Sequence, residues 1–371
     1  MHVLHVIAGA RRGGAEQLLL LVGRELQQQG TRVSIVFFDE GPLRASFEAA
    51  GLDCHVVGGR GVVRPQALAR MPALLAAQAP DMVHLHGLRA LGHVGPLARM
   101  LRIPVVYASH SVSAVKRVDY GSRARAYCAI EGWCLNQFAS AVIATSDTMR
   151  DDLARSARVR GVPIHVIDPC IDLGRFPVVT LEARASARAR YGLDGAVIGA
   201  IGRLIRAKGH SVAVRALTRL PGVTLVIAGD GPERENLDQL ARELGVRERL
   251  RLLGDTSDVA GVCHASDVVL YPSTEGIIGL AALEAMACGA PVVVSNQPGV
   301  TAFVDGGHTG VLVPPGDVEA LADTVRGLLG DTDRAAALGA AGARAARGRY
   351  APSVAAARHQ AVYDALAPAG R

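Results

Sequence analysis

Apolar residues return along this chain in two alternating rhythms, from the first residues to about position 330. Short runs of Val, Ile and Leu are each followed by a longer stretch in which apolar positions recur every three or four residues, the signatures of strand and amphipathic helix. The runs predict strands at Val3 to Ile7, Val33 to Phe38, Cys54 to Val57, Met82 to Leu85, Val105 to Ser109, Ala141 to Ala144 and Ile164 to Ile167. Helices fill the gaps, Ala15 to Gln28 most clearly. Ile171 to Leu193 carries Pro177 and no strand-like run. A second series then opens at Val197 to Ile201 and continues through Thr224 to Ala228, Arg251 to Leu253, Val268 to Tyr271, Val292 to Val294 and Gly310 to Val313.

Successive βαβ units imply parallel sheets, so the fold class predicted is α/β, with two Rossmann-like domains facing across a cleft. The boundaries read as 1–176 for an N-terminal domain and 177–350 for a C-terminal domain. A last helix follows in 351–371, with Pro352 in its first turn and its end near Leu366, and it is expected to pack back on the N-terminal domain.

Composition narrows the class without naming it. Half of the 371 residues are apolar and 20% are charged, which is globular composition. The opening MHVLHVIAGARRGGAEQ reads directly as strand and turn, not as a signal peptide, and no apolar run reaches the roughly 18 residues of a spanning helix. A cytoplasmic protein is expected. Cys54, Cys128, Cys134, Cys170, Cys263 and Cys288 form no Cys-x-x-Cys pair and have no nearby His cluster at ligand spacing, so they read as reduced, buried thiols, and no metal is expected.

The net charge of +6 falls wholly in the first half: residues 1–178 hold 20 Lys+Arg against 14 Asp+Glu, and the remainder 20 against 20. Arg11, Arg12, Lys116, Arg117, Arg123 and Arg125 are therefore candidates to meet phosphate-bearing molecules, or an anionic lipid surface in peripheral contact at the inner face of the membrane; solvated helix faces explain each of them equally well. No basic stripe is interleaved with aromatics, which argues against nucleic acid as a partner. Lys116 to Phe138, with Tyr127 and Trp133, reads as a core-packed helix, an acceptor- or membrane-facing surface being the alternative.

The chemistry gathers after strands. Gly13-Gly14-Ala15-Glu16 follows the first strand and opens a helix, where paired glycines let backbone amides approach an anion; it is neither Gly-x-Gly-x-x-Gly nor a P-loop. Gly202-Arg203-Leu204-Ile205-Arg206-Ala207-Lys208-Gly209 sets cations at the end of a strand beside a helix start, as a diphosphate requires. Tyr271 to Pro291 is the most specific stretch: strand, acidic glycine-bearing loop with Glu275, then a helix whose free amides can hold phosphate and whose second turn carries Glu284, an acceptor for two ribose hydroxyls. Asp331-Thr332-Asp333 suits an N-cap and not a metal.

With these residues in place, the chain resembles the GT-B fold retaining glycosyltransferases of family 4, the glycosyltransferase group 1 enzymes, over nearly its whole length. The resemblance rests on Gly13-Gly14-Ala15-Glu16, Val105 to His110, Val142 to Ser146, Ile171 to Phe176, Gly202-Arg203-Leu204 with Lys208-Gly209, Ala228-Gly229-Asp230-Gly231-Pro232, and the Glu-Ala-Met-Ala-Cys-Gly-Ala-Pro run after Leu283. It implies that Arg203 and Lys208 hold the donor diphosphate, that Glu284 binds the ribose and that Glu275 lies by the donor sugar. It further implies that amides of Gly13, Gly14, Ile278, Gly279 and Leu280 complete the contacts, and that His110 faces the reacting centre; a hydrogen-bonded histidine ending a strand is the other reading of His110. Family members usually carry seven residues between the two glutamates and this chain carries eight, which leaves the register of Glu275 open.

The implied activity is transfer of a sugar, with retention, from a nucleotide-sugar donor to an unidentified sugar, lipid-linked or small-molecule acceptor. The co-substrate is a UDP- or GDP-sugar, with no other cofactor and no catalytic metal. A sugar-nucleotide epimerase or phosphorylase of similar fold and a non-catalytic nucleotide-sugar binding protein are the competing readings. A glycosidase using Glu275 and Glu284 fits poorly, since phosphate-binding cations beside them serve no purpose there.

Overall fold

Runs of β-branched residues buried on both faces, joined through helices, favour parallel sheets, and two such sheets form here. The computed structural model describes residues 1–9, 14–58, 65–110, 113, 121–275 and 279–367. Gly13 and Ile278, with Arg11, Arg12, Lys116 and Arg117, lie outside the described residues.

In the first sheet β1 (His2–Gly9), β2 (Arg32–Asp39), β3 (Asp53–Val56), β4 (Met82–His86), β5 (Val105–Ala108), β6 (Ala141–Ala144) and β7 (Ile164–Val166) run parallel in the order β3-β2-β1-β4-β5-β6-β7. In the second, β8 (Ala196–Ile201), β9 (Val223–Ala228), β10 (Leu250–Gly254), β11 (Val268–Tyr271), β12 (Val292–Ser295) and β13 (Val311–Val313) run parallel in the order β10-β9-β8-β11-β12-β13. Each predicted strand is present, with its ends moved by a residue or two. Both sheets reverse strand order once, at β1/β4 and at β8/β11, and the ends of those strands are where a doubly wound sheet offers a ligand crevice.

The chain divides into two compact units, residues 1–170 with 350–371, and residues 171–349. In the first, the helix Gly14–Gln28 lays Leu19, Val22 and Leu26 on the sheet among Val3, Ile35 and Phe37. The last helix, Pro352–Leu366, starts with Pro at its first position, where no amide partner is lost, and buries Ala355, Ala356, Val362 and Tyr363 in the same core. Trp133 and Ile130 on the helix Ala124–Phe138 are 60% and 54% exposed, so that helix is packed along one side only, through residues such as Cys128 and Leu135; the core-packed reading of its aromatic residue is corrected.

In the second unit Leu204, Val214, Leu225, Ile227, Leu270 and Leu321 centre the core. Asp331 accepts from the amide of Arg334 at 3.0 Å, capping the helix Thr332–Arg349 as a turn carboxylate should. All six cysteines are in the reduced thiol form. Among the described residues no helix is long and apolar enough to cross a membrane.

One ion-paired carboxylate secures the start of the second sheet. Asp267 accepts from the β8 amide of Val197 at 2.8 Å and from the guanidinium groups of Arg188 and Arg184 at 2.8 and 2.7 Å. Asp267→Ala strands two half-buried cations and a backbone donor, and is expected to cost about 2–4 kcal/mol in urea unfolding, against under about 1 kcal/mol for the exposed pair partner Asp323→Ala.

Candidate functional site

The cationic turn after β8 is fixed by glycines that no other residue could replace. Gly202 leaves β8 with φ +139°, and Gly209 closes the turn with φ +66° at the entry to the helix His210–Ala216. A Cβ on Gly209 would stand 1.9 Å from the carbonyl oxygen of Pro272, so this backbone lies directly against the loop leaving β11. Hydrogen bonds tie the two together: the amide of Thr274 and the hydroxyl of Ser273 donate to the carbonyl of Ala207 at 3.0 and 2.8 Å.

Inside that junction the Lys208 ammonium donates to the Tyr271 hydroxyl at 2.6 Å and stands 4.7 Å from the centre of the ring. Burial pushes its pKa down to about 8, helped by repulsion from the Arg203 guanidinium and opposed by the Glu284 carboxylate. Glu284 is pushed up to about 7, first by burial, against the pull of Arg175 and Lys208 and with a further push from Cys288. Arg203 and Glu284 thus lie within electrostatic range of Lys208, and Arg175 and Lys208 within range of Glu284, beside the switch-point strands β8 and β11.

Glu284 belongs to the helix Leu280–Ala287, which begins after Gly279 and has no side-chain cap, so its first amides look out of the helix end. Gly279 packs its bare Cα toward Val300 and Tyr271, and Leu280 is half-buried. The predicted residues Arg203, Lys208, Gly279, Leu280 and Glu284 are therefore gathered here. Glu275 is exposed in the loop, its carbonyl 2.6 Å from the Ser273 hydroxyl, whose one proton is shared between this carbonyl and that of Ala207. Arg175 was missed as a candidate; it sits inside the Ile171 to Phe176 motif, but only the fold brings its charge within electrostatic range of Glu284.

The first unit presents a different chemistry. His84 and His86 alternate on β4 and so share one face, and register places His5 of β1 opposite His84. His86 Nδ1 is 3.0 Å from His110 Nε2, just beyond β5, and His86 Nε2 is 3.1 Å from His5 Nδ1. His84 Nδ1 is hydrogen-bonded at 2.7 Å to the Tyr363 hydroxyl of the last helix, which also brings in His359. A cavity of about 20 Å³ lies among His5, His84, His86, His110, His359 and Asp168.

Burial pushes His110 down to about 4, with a smaller push from His359, and His5 down to about 3; His84 and His86 are lowered well below the ordinary range by burial first. The group is neutral at pH 7. His110 thus has the strand-end position predicted and the hydrogen bond of its alternative reading. Gly14 is exposed at the start of its helix. The pairing of His5 with the His-x-His of β4 was missed, although the period of two was there to find.

Family comparisons agree with this layout. Residues 12–175 match the Glycosyltransferase Family 4 model and residues 177–345 the model for glycosyl transferases group 1. A D-inositol 3-phosphate glycosyltransferase of Corynebacterium jeikeium is 34% identical over 78% of this chain and 73% of its own length. This chain belongs to the group 1 glycosyltransferases. A glycogen synthase of Mycobacterium tuberculosis is also 34% identical, over 68% of the chain, but the match spans only 61% of that enzyme. Two solved structures share the fold across nearly the full length of both chains. They are Anabaena Alr3699/HepE in complex with UDP-glucose, at 23% identity and a TM-score of 0.84, and WaaG, a glycosyltransferase involved in lipopolysaccharide biosynthesis, at 18% and 0.76. Two parallel Rossmann-like sheets of seven and six strands make this glycosyltransferase a GT-B protein.

The raised pKa of Glu284 has a definite sign for stability. Its folded value of about 7 lies above the ordinary 4.5, so the folded state holds the proton more tightly, and stability is greatest below pH 4.5 and declines as pH rises through 7. Glu284→Gln removes that decline. Urea unfolding at pH 5 and pH 8 should show the variant gaining on the wild type at the higher pH; equal gains at both pH values would remove the buried carboxylate from the account.

Proposed function

We propose that this glycosyltransferase moves a sugar, with retention of anomeric configuration, from a nucleotide diphosphate-sugar bound by the second unit to an acceptor hydroxyl received by the first. The observation that carries the reading is the docking of Lys208 on Tyr271 at the end of β11, within electrostatic range of Arg203 and Glu284 and followed by the uncapped start of the helix Leu280–Ala287. Arg forks onto phosphate oxygens, Lys adds a compact charge and the helix amides add donors, all aimed where negative charge grows as the diphosphate leaves. Glu284 accepts from the two ribose hydroxyls once its proton is displaced. In this reading the departing diphosphate takes the acceptor proton on the same face of the sugar, so no protein nucleophile is needed, and the chain's task is to position substrates and stabilise the leaving group.

A UDP-sugar is the donor we favour, with a GDP-sugar as the alternative, since the HepE structure of like fold was solved with UDP-glucose. The acceptor would be a sugar, lipid-linked or small-molecule hydroxyl, as the name of the inositol phosphate relative suggests for its own reaction. Arg125 and Arg158 line a groove of about 590 Å³ with Trp133, which supports a peripheral contact of the first unit with an anionic lipid surface. An epimerase or a non-catalytic binding protein would share the donor site and lack acceptor-dependent turnover.

Thermal unfolding with UDP, GDP, ADP and their sugars should single out one stabilising nucleotide, with its affinity lowered about 10- to 100-fold by Arg203→Ala or Lys208→Ala. Product NMR with that donor and a panel of sugar and lipid acceptors should show a retained anomeric configuration. No stabilisation by any nucleotide would sink the donor site; stabilisation with no acceptor-dependent release would leave the binding-protein reading standing.

A further inference from the structure

A neutral imidazole has one N–H and one bare nitrogen, so a chain of imidazoles joined end to end has a direction. His110, His86 and His5 form such a chain, each link pairing the Nε2 of one ring with the Nδ1 of the next, at 3.0 and 3.1 Å. The tautomer of any one ring then sets those of the others. The inner end decides which way the protons point, because His5 is fully buried and its Nε2 has no hydrogen-bond partner among the described residues.

Were the protons to point inward, His5 Nε2 would be an enclosed N–H without an acceptor, the rarer kind of orphan in folded proteins. With the protons pointing outward, His5 Nδ1–H donates to His86 Nε2, His86 Nδ1–H donates to His110 Nε2, and only a bare ring nitrogen is left enclosed. His110 must then carry its own proton on Nδ1. The closed inner end also means that a proton entering at His110 has nowhere to leave, so the chain does not conduct protons.

We propose that His86 and His5 are positioning residues that lock His110 as its Nδ1–H tautomer, so that it meets the substrates as a hydrogen-bond donor and not as a base. The substrate part of this statement rests on the function proposed above; the tautomer does not. The rings are held in the required attitude by packing: those of His86 and His110 lie 5.3 Å apart and 10° from parallel, and those of His84 and His86 lie 4.5 Å apart. His5, His84 and His86 each also offer a ligand atom within 4.8 Å of the others, and an imidazole-binding cation such as zinc is the rival occupant. The hydrogen-bonded arrangement is favoured because two of those three rings already satisfy each other, and no carboxylate is among the three to balance a buried dication.

The test uses the full chain labelled with 15N-histidine, in which long-range 1H–15N spectra read the tautomer of each ring without any substrate. His110, assigned by the peaks lost in His110→Gln, should show a protonated Nδ1 and a bare Nε2. In His86→Asn the side-chain amide replaces the Nδ1–H donor and should preserve that tautomer, with kcat within about threefold of the wild type; His86→Leu should release the tautomer and lower kcat about 10- to 100-fold with donor KM unchanged. Should His86→Leu fail to fold, His5→Val, a strand-compatible change two links away, supplies the same reading of the tautomer.

A protonated Nε2 on His110 in the wild type overturns the lock, as do equal spectra and equal kcat for the Asn and Leu variants. So does one zinc ion bound per chain at micromolar or tighter affinity when ZnCl2 is added to chelator-treated protein, since the nitrogens would then serve a cation. The expected tautomer in a protein that transfers no sugar would instead count against the function proposed, and leave the lock intact.

Discussion

The contact on which the geometry around Lys208 depends is the close approach of two backbones, at Gly209 and at Pro272. Strands β8 and β11 are neighbours only because the second sheet reverses order between them, and their following segments would diverge if nothing drew them together. A Cβ at residue 209 could not fit, and with glycine there the carbonyl of Ala207 can accept from both Ser273 and Thr274. The consequence is electrostatic. Lys208, from one segment, is pressed onto Tyr271, from the other, and so stands where the carboxylate of the next helix can feel it.

The two units use burial for opposite ends. In the second, burial works against charges that are nevertheless kept, and Lys208 and Glu284 are left with pKa values drawn toward each other, at about 8 and about 7. Under the function proposed above such a site is poised: the diphosphate would favour the charged lysine and the ribose hydroxyls the charged carboxylate, so one ligand would stabilise both ionised forms that burial penalises. In the first unit, burial removes charge altogether. The histidines around His110 are neutral, and what they supply is direction, an ordered set of donors and bare nitrogens.

Much of this was legible before any coordinates, and the part that was not has a common physical cause. Strand positions could be read because a strand buried on both faces leaves a continuous apolar run, and each such run here stops at a glycine, proline or polar residue. Arg203 and Lys208 could be picked out as candidates because they follow β8 closely, and Glu284 because it is a carboxylate set among apolar residues in the motif that carries the resemblance. Arg175 and the inner histidines could not, since their roles depend on partners far away in the chain: His5 meets His86 across 81 residues, and His84 meets Tyr363 across 279. Local periodicity says which face a residue occupies and is silent on which distant strand or helix will cover that face. Trp133 shows the converse error, a large aromatic residue assigned to the core by its type, although its neighbours on the helix do the packing.

The last helix joins these two observations. It follows the second unit in sequence but packs in the first, where Tyr363 holds His84 and His359 lies over the same rings, and Arg358 pairs with Asp168 at 2.9 Å beside the cavity. A chain that passes out of a unit and returns to complete its core makes that unit dependent on its own far end. The histidine group therefore cannot take its final arrangement until residue 363 has docked, whereas the cationic turn and Glu284 are complete within a single continuous segment. The residues around Glu284 can thus be in place before the histidine group is, and truncation beyond Arg349 would strike the orientation of His110 while sparing them.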